Sequence, residues 1–498
     1  MLDLTLAGKI DKGTQNGPAY LCLHGHFYQP PRDDPFTGQI PIEATATPFA
    51  NYNEKITAEC YRPNAEAGNF DIMSFDLGPT LAAWLEEAHP DVYQRIIEAD
   101  QKHMARYGVG NAMAQAYNHT ILPLATSRDK HMQIAWGLSD FRHRFGREAK
   151  GMWLAETAID IETLDLLAQH GVTYTVLAPW QAAEPVDTTE PYIVPLRDGR
   201  SITVFFFNAP LSGGVSFDWN TTSNADMFAA SYLPRHLVQS KRDAGEAQLI
   251  LIATDGELYG HHRPWRDKFL THLITTGAPA YGFEICALEQ YMRLYPATKE
   301  ATLRLPSAWS CGHGVARWDT GCECTEGDSS WKGALNQALR NLASHNNRLF
   351  EQYAGETLRD PWAALDAYPP VREGWESIDS FWARHGTDQH PLKIQRTLLL
   401  LEAQYYGQCS FTSCGFFFED LDRIEPRNNI AFARRAISLI WQALGIDLQA
   451  DFVRDLQSVK SWRVPTLTGA EVYRQLPVTR PEQLPELAPI DDTTPPSS

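Results

Sequence analysis

Apolar residues enter this chain in short, largely apolar segments that stop abruptly at polar and aromatic clusters. Ala19–Leu23 runs into His24-Gly25-His26-Phe27-Tyr28-Gln29-Pro30, and Phe70–Phe75 stops at Asp76-Leu77-Gly78-Pro79. Similar segments cover 110–119, 149–154 and 172–177, and Leu249–Ala253 ends at Thr254-Asp255-Gly256-Glu257. The unbroken runs Ala19–Leu23 and Leu249–Ala253 predict strands buried on both faces, the usual state of parallel strands, and the segments that polar residues interrupt read as strands as well. Between them the spacing predicts helices over 80–107, 128–147, 160–170, 226–242 and 287–295. Asp198-Gly199 predicts the turn of a hairpin over 192–207, and 281–286 reads as one more strand. Residues 32–68, rich in Pro, Asn and Thr, read as a long irregular loop. Strand and helix thus alternate about seven times, the pattern of a parallel α/β sheet or barrel.

Beyond residue 330 the pattern changes. Segments 332–353, 391–408 and 427–446 carry apolar residues at helical spacing, as in Ile394, Leu398, Leu401 and Tyr405, with no buried strand between them. From 477 onward Pro, Glu, Asp and Thr dominate. We therefore expect a barrel domain over 1–330, an all-α domain over 331–476 and a disordered tail over 477–498.

Charge narrows the partners. Lys and Arg number 43 against 61 Asp and Glu, a net charge of −18 that disfavours nucleic acid and anionic membranes, both of which need a basic face. The segment MLDLTLAGKIDKG lacks the basic-then-apolar pattern of a secretory signal, and no apolar run reaches the ~20 residues of a membrane helix. Eight cysteines in 498 residues do not make a disulfide scaffold, so a cytoplasmic location is expected. Aromatic residues at 11% suit a protein whose rings stack on sugar faces, and equally a large filled core.

The candidate chemistry sits where the runs end. In a barrel the carboxyl ends of parallel strands share one face, so the clusters at 24–30, 115–119, 153–156 and 254–262 converge. They bring His24, His26, Tyr28, Gln29, His119, Trp153, Glu156, Asp255, Glu257 and His261 into one pocket. A second cluster, Trp309-Ser310-Cys311-Gly312-His313 through Trp318 to Cys322-Glu323-Cys324, gathers three thiols and an imidazole. Its spacing lacks the C-x2–4-C pairs of common zinc sites, so no metal is expected there. Trp309, His313 and Trp318 are instead read as a loop offered to substrate.

Four motifs in order resemble glycoside hydrolase family 57. The first resembles the stretch His24 to Pro30, with Phe-Tyr inserted before Gln29-Pro30; the second, Tyr117-Asn118-His119 through Pro123. The third is similar to Trp153-Leu154-Ala155-Glu156, with Ala155 where the family usually has proline, and the fourth matches Asp255-Gly256-Glu257-Leu258-Tyr259-Gly260. Segment 391–446, with Phe411 to Asp420, resembles the uncharacterised C-terminal domain of one subgroup. The resemblance implies a (β/α)7-type barrel with a C-terminal all-α domain, and retaining cleavage or transfer on α-glucans or maltooligosaccharides without a cofactor. By motif it makes Glu156 the nucleophile and Asp255 the general acid/base. Two readings compete with it. A metal-dependent polysaccharide deacetylase would need an Asp-Asp and His-x-x-x-His ligand set, which is not evident. A non-catalytic glucan-binding protein would not need both Glu156 and Asp255.

Overall fold

A computed structural model describes residues 17–476 of the chain, and the expected tail at 477–498 lies outside the described residues. Among the described residues ten strands form: β1 Ala19–Phe27, β2 Ser74–Leu77, β3 Ala112–Gln115, β4 Met152–Trp153, β5 Tyr174–Leu177, β6 Tyr192–Pro195, β7 Ser201–Phe206, β8 Gln248–Asp255, β9 Phe283–Ile285 and β10 Lys299–Glu300. Strands β4-β3-β2-β1-β8 lie side by side, all parallel, while β9 pairs the start of β1. A second sheet runs β10-β6-β7-β5, with β5 and β7 parallel. A parallel bridge from Gly151 to Tyr174 joins β4 to β5, and the Asn208 backbone amide donates to Leu251 O at 2.7 Å to join the end of β7 to β8. Seven parallel strands thereby close into the (β/α)7 barrel.

The barrel interior is one apolar cluster that includes Tyr20, Cys22, Met113, Trp153, Tyr174, Phe205, Leu249 and Leu251. The other face of the same strands, with Leu21, Leu23, Ile250 and Ile252, packs under the surrounding helices. Burial on both faces is why β1 and β8 carry no polar alternation until their last residues.

The strands are shorter than the runs suggest. β2 starts at Ser74 because Asn69–Asp71 form a 3-10 turn after the left-handed Gly68, and residues 116–119 leave β3 in a turn. The helix read over 80–107 is two, Pro79–Ala88 and Pro90–Tyr107, broken at His89-Pro90, where the residue before proline resists helical backbone. The segment 226–242 is likewise cut into short helical turns around Pro234. The expected hairpin forms between β6 and β7, with Asp198 and Gly199 both at positive φ.

One expectation needs correcting. Residues 32–68 are not wholly irregular: Tyr52–Ile56, Thr57–Tyr61 and Arg62–Glu66 form a nearly continuous helix with a π-turn in its middle. Its buried residues Ile56, Cys60 and Tyr61 share one side, a spacing masked by Pro63 and Asn64. Gly260, at φ +144°, lets this helix lie against the loop after β8, since a Cβ there would meet Glu59 O at 2.2 Å.

After residue 330, among the described residues, the chain is helical, led by α1 Trp331–Leu349, α2 Pro391–Cys409 and α3 Ile424–Leu444. Their core is continuous with the barrel: Ile121, Ala155, Ala158 and Ala308 join Trp331, Leu335, Phe416 and Ile437 in one buried cluster. Among the described residues no helix is long and apolar enough to cross a membrane.

Candidate active site

Register brings the site together. His24 and His26, two residues apart on β1, point to the barrel interior; beside them lie Ser74 and Asp76 of β2 and Ala253 and Asp255 of β8. Asp76 is fully buried and takes both imidazoles, accepting from His24 Nε2 at 3.0 Å and His26 Nδ1 at 2.8 Å. His24 Nδ1 is bonded to Ser74 Oγ at 3.0 Å. Trp153 of β4 stacks under both rings, at 4.8 Å from His24 and 5.1 Å from His26.

From His26 a polar chain continues outward. His26 Nε2 lies 3.1 Å from His119 Nε2, and His119 Nδ1 lies 2.6 Å from Ser413 Oγ. Burial alone favours neutral His26, yet the Asp76 carboxylate more than offsets it and holds the ring up at about 9. His119 is driven well below the ordinary imidazole value, by burial first and then by the His26 charge. The charged ring therefore donates from Nε2 to a neutral His119, which donates in turn to Ser413. His119 sits at φ +53° and Tyr28 stacks on it at 3.9 Å. Backbone held in this region by a non-glycine residue is strained, and such residues gather at functional sites.

Glu156 and Thr157 are strained in the same way, at φ +56° and +48°, in the turn that follows β4. That turn presents the Glu156 carboxylate to a bracket from another loop: Trp309 Nε1 donates to Oε2 at 2.8 Å and Ser310 Oγ at 2.6 Å. Burial raises its pKa, the two donors oppose that, and the Asp255 charge adds to it. Asp255, at the last position of β8, is exposed to the opening.

Glu257, two residues on, is buried; Tyr61 OH donates to its Oε1 at 2.7 Å and the Tyr28 amide at 3.2 Å. Burial pushes its carboxyl up to about 7 against the pull of the Tyr61 hydrogen bond. A carboxyl harder to ionise in the folded chain than in the unfolded one costs stability as pH rises from 4.5 towards 7. Glu257→Gln is therefore expected to be the more stable protein at pH 8, by on the order of 2–3 kcal/mol, with the difference gone near pH 4. Thermal melts at the two pH values check this, and the variant is expected to lose activity on sugars.

Two adjoining hollows meet at the carboxylates. A polar one of about 230 Å³ is lined by His26, Tyr28, Gln29, Arg32, His119, Glu257, His262, Cys414, Phe417, Phe418 and Glu425. A more apolar one of about 360 Å³ is lined by Trp180, Phe207, Phe217 and Leu258. Glu156, Asp255, Trp309 and Phe417 border both.

The remaining candidates fall elsewhere. His24 and Trp153 are fully buried beneath the floor and support His26 without lining the opening. His261 turns away to Glu59, 2.6 Å from Oε2, and its neighbour His262 takes the place at the wall. Trp318 does not reach the opening, because Asn336 of α1 holds its carbonyl at 2.6 Å and its ring is buried in the helical core. His313 is half-exposed beside Cys324 and Glu323, also off the cavity. Residues unassigned from the sequence include Asp76, Tyr61, Ser310 and the helical-domain residues Ser413, Cys414, Phe417 and Phe418. Asp76 carried a signal, since it ends its apolar run as Glu156 and Asp255 follow theirs. Ser413 carried none that ties it to His119, 294 residues away in sequence.

Acids and imidazoles thus stand between aromatic walls at the carboxyl ends of a seven-stranded barrel, and similarity to known proteins gives the family. The sequence model described as "Glycosyl hydrolase family 57" matches residues 40–304, over half of the chain. The chain belongs to that family. A second, "Domain of unknown function (DUF3536)", matches 328–488. Alpha-amylase 1 of Dictyoglomus thermophilum is 31% identical over 257 residues, which cover 51% of this chain and 33% of that relative, so the chain matches about a third of its length. Among solved structures, an exo-type maltose-forming amylase from Pyrococcus sp. ST04 is similar with a TM-score of 0.72 at 16% identity, over 88% of this chain and 82% of that one. A branching enzyme from Thermococcus kodakaraensis gives 0.57 at 15% identity over 90% and 92%, and the alpha-amylase AmyC from Thermotoga maritima gives 0.58 at 14% over 93% and 100%. At these identities the structures establish the fold alone.

Proposed function

We propose that this chain cleaves α-glucans with retention of configuration, with Glu156 as nucleophile and Asp255 as general acid/base. The observation that carries the proposal is that Glu156 and Asp255 border the same two hollows, with the Glu156 carboxylate fixed by Trp309 and Ser310. Retention needs one carboxylate to attack the anomeric carbon while a second carboxyl protonates the leaving oxygen, the pair standing about 5–5.5 Å apart. The two donors leave the other oxygen of Glu156 free to attack. Asp255, exposed at the opening, is within reach of both a leaving sugar and an incoming water or sugar hydroxyl. The charged His26 lowers the energy of an ionised Glu156.

The polar hollow suits the sugar whose bond breaks, since its imidazoles, Arg32 and Glu257 offer donors and acceptors for ring hydroxyls. The apolar hollow, with Trp180 half-exposed and Phe217 largely exposed, suits stacking of the sugars beyond the cut. The relatives' names, amylase and branching enzyme, support α-glucan as the substrate class and leave both water and sugar as acceptors. Incubation with maltooligosaccharides of one length and sizing of the products tests this. Shorter products alone mean hydrolysis and longer ones mean transfer, while Glu156→Gln and Asp255→Asn are expected to leave the substrate intact. An unchanged substrate with the parent chain would sink the proposal.

A further inference from the structure

We infer that Cys311, His313, Cys322 and Cys324 bind a structural zinc ion that clamps the loop holding Glu156. The fold does what the sequence spacing argued against: it brings one ligand atom from each of the four residues within 4.8 Å of the others. Zinc with bonds of about 2.3 Å to sulfur and about 2.1 Å to nitrogen sets tetrahedral sulfurs about 3.8 Å apart, and sulfur and nitrogen about 3.6 Å apart. Here Cys311 Sγ and Cys322 Sγ are 3.7 Å apart, and Cys324 Sγ and His313 Nδ1 are 3.4 Å apart. All three thiols are free.

The surroundings fit a metal rather than a chance meeting of thiols. His313 offers Nδ1 to the cluster and its Nε2 is 3.2 Å from Glu323 Oε1, the carboxylate partner that commonly orients a zinc-bound imidazole. Three thiolates and a dication leave one negative charge. Buried Lys332, held by Thr325 Oγ1 at 2.9 Å, acts on Cys311 and Cys322 from the start of α1. The donor set of three sulfurs and one nitrogen selects zinc over the oxygen-seeking cations. Four protein ligands close the coordination shell, and none of the four lines the cavity, so the ion would be structural and not catalytic.

Its position gives it a task. Cys311 directly follows Trp309 and Ser310, the two donors to Glu156 Oε2, and Trp309 N also donates to Glu156 O at 3.0 Å. The loop 309–325 is otherwise mostly turns between the barrel and α1, in a segment that neither family match covers. A zinc ion there would tie Cys311 to Cys322 and Cys324 and so fix the bracket around the strained Glu156. That consequence rests on the catalytic reading above, whereas the metal site does not.

The test is elemental analysis of the full chain produced in zinc-supplemented medium and purified without chelator. One zinc per chain is expected in the parent, and loss of stoichiometric zinc in His313→Gln, a half-exposed position where the fold tolerates change. Glu323→Gln is expected to keep zinc with about 10- to 100-fold weaker affinity. Cobalt added to the metal-free chain is expected to show the intense absorption of tetrahedral thiolate coordination, and chelation to lower the melting temperature. Zinc well below one per chain in the parent, equal zinc in His313→Gln, or a Cys311–Cys322 disulfide by mass would each overturn the inference. These readouts do not depend on activity. A zinc-loaded chain inert on every glucan would leave the metal site standing and remove the catalytic reading.

Discussion

Glu156→Ala and Asp255→Ala are expected to fail in different ways, and sodium azide separates them. Removing a nucleophile that no neighbour replaces is expected to cost on the order of 10⁴-fold or more in kcat. Loss of the general acid/base is expected to cost roughly 10²–10⁴-fold. On an aryl α-maltooligoside whose phenol leaves without protonation, Asp255→Ala still forms the glycosyl ester on Glu156. Azide needs no base, so it attacks that ester, and two inversions give the α-glycosyl azide. In Glu156→Ala azide fits the space the carboxylate vacates and attacks the substrate once, giving the β-glycosyl azide. Mass spectrometry of Asp255→Ala caught during turnover is expected to show the sugar on the peptide containing Glu156. A β-azide from Asp255→Ala, or a glycosyl adduct on another peptide, would refute the assignment of roles.

The chain shows why some of this was legible in sequence and some not. Strands buried on both faces must be apolar throughout, so β1 and β8 announce themselves as Ala19–Leu23 and Leu249–Ala253, and the proposed catalytic groups stand where that requirement ends. Lengths were less legible, because a strand stops where its ladder stops and not where apolar residues do, as β4 shows with two residues inside a longer run. Contacts that depend on how two domains meet left no trace at all. Ser413 bonds His119, and Phe417 borders both hollows, only because Ile121 and Ala155 are buried in one core with Phe416 and Ile437. The gathering of the thiols was hidden for a different reason. Spacing along a chain reveals a ligand cluster when one short turn supplies the pairs, and here a folded-back loop brings Cys311, His313, Cys322 and Cys324 together instead.

Asp76→Asn is expected to unlock the imidazole chain while keeping its shape. Asp76 is fully buried and its one negative charge is shared by two rings, so the amide fills the space but no longer holds His26 charged. Burial then acts on that ring against only the charges of Asp255 and Glu257, and its titration, followed by NMR, is expected to fall well below about 9. A histidine with a raised pKa adds stability that is complete below pH 6.5 and is lost as pH climbs to about 9. The variant is therefore expected to be less stable than the parent by about 3 kcal/mol near pH 6, with the gap narrowing towards pH 9 and beyond. The same charge also acts on Glu156, favouring its ionised form. Without it Glu156 becomes harder to ionise, so the acid limb of the kcat/KM profile is expected to move to higher pH. A purely structural Asp76 would lower stability and leave that limb in place. The paired shift of an NMR titration and a kinetic limb is thus the signature of a carboxylate that sets, through His26, the charge state in which the proposed nucleophile works.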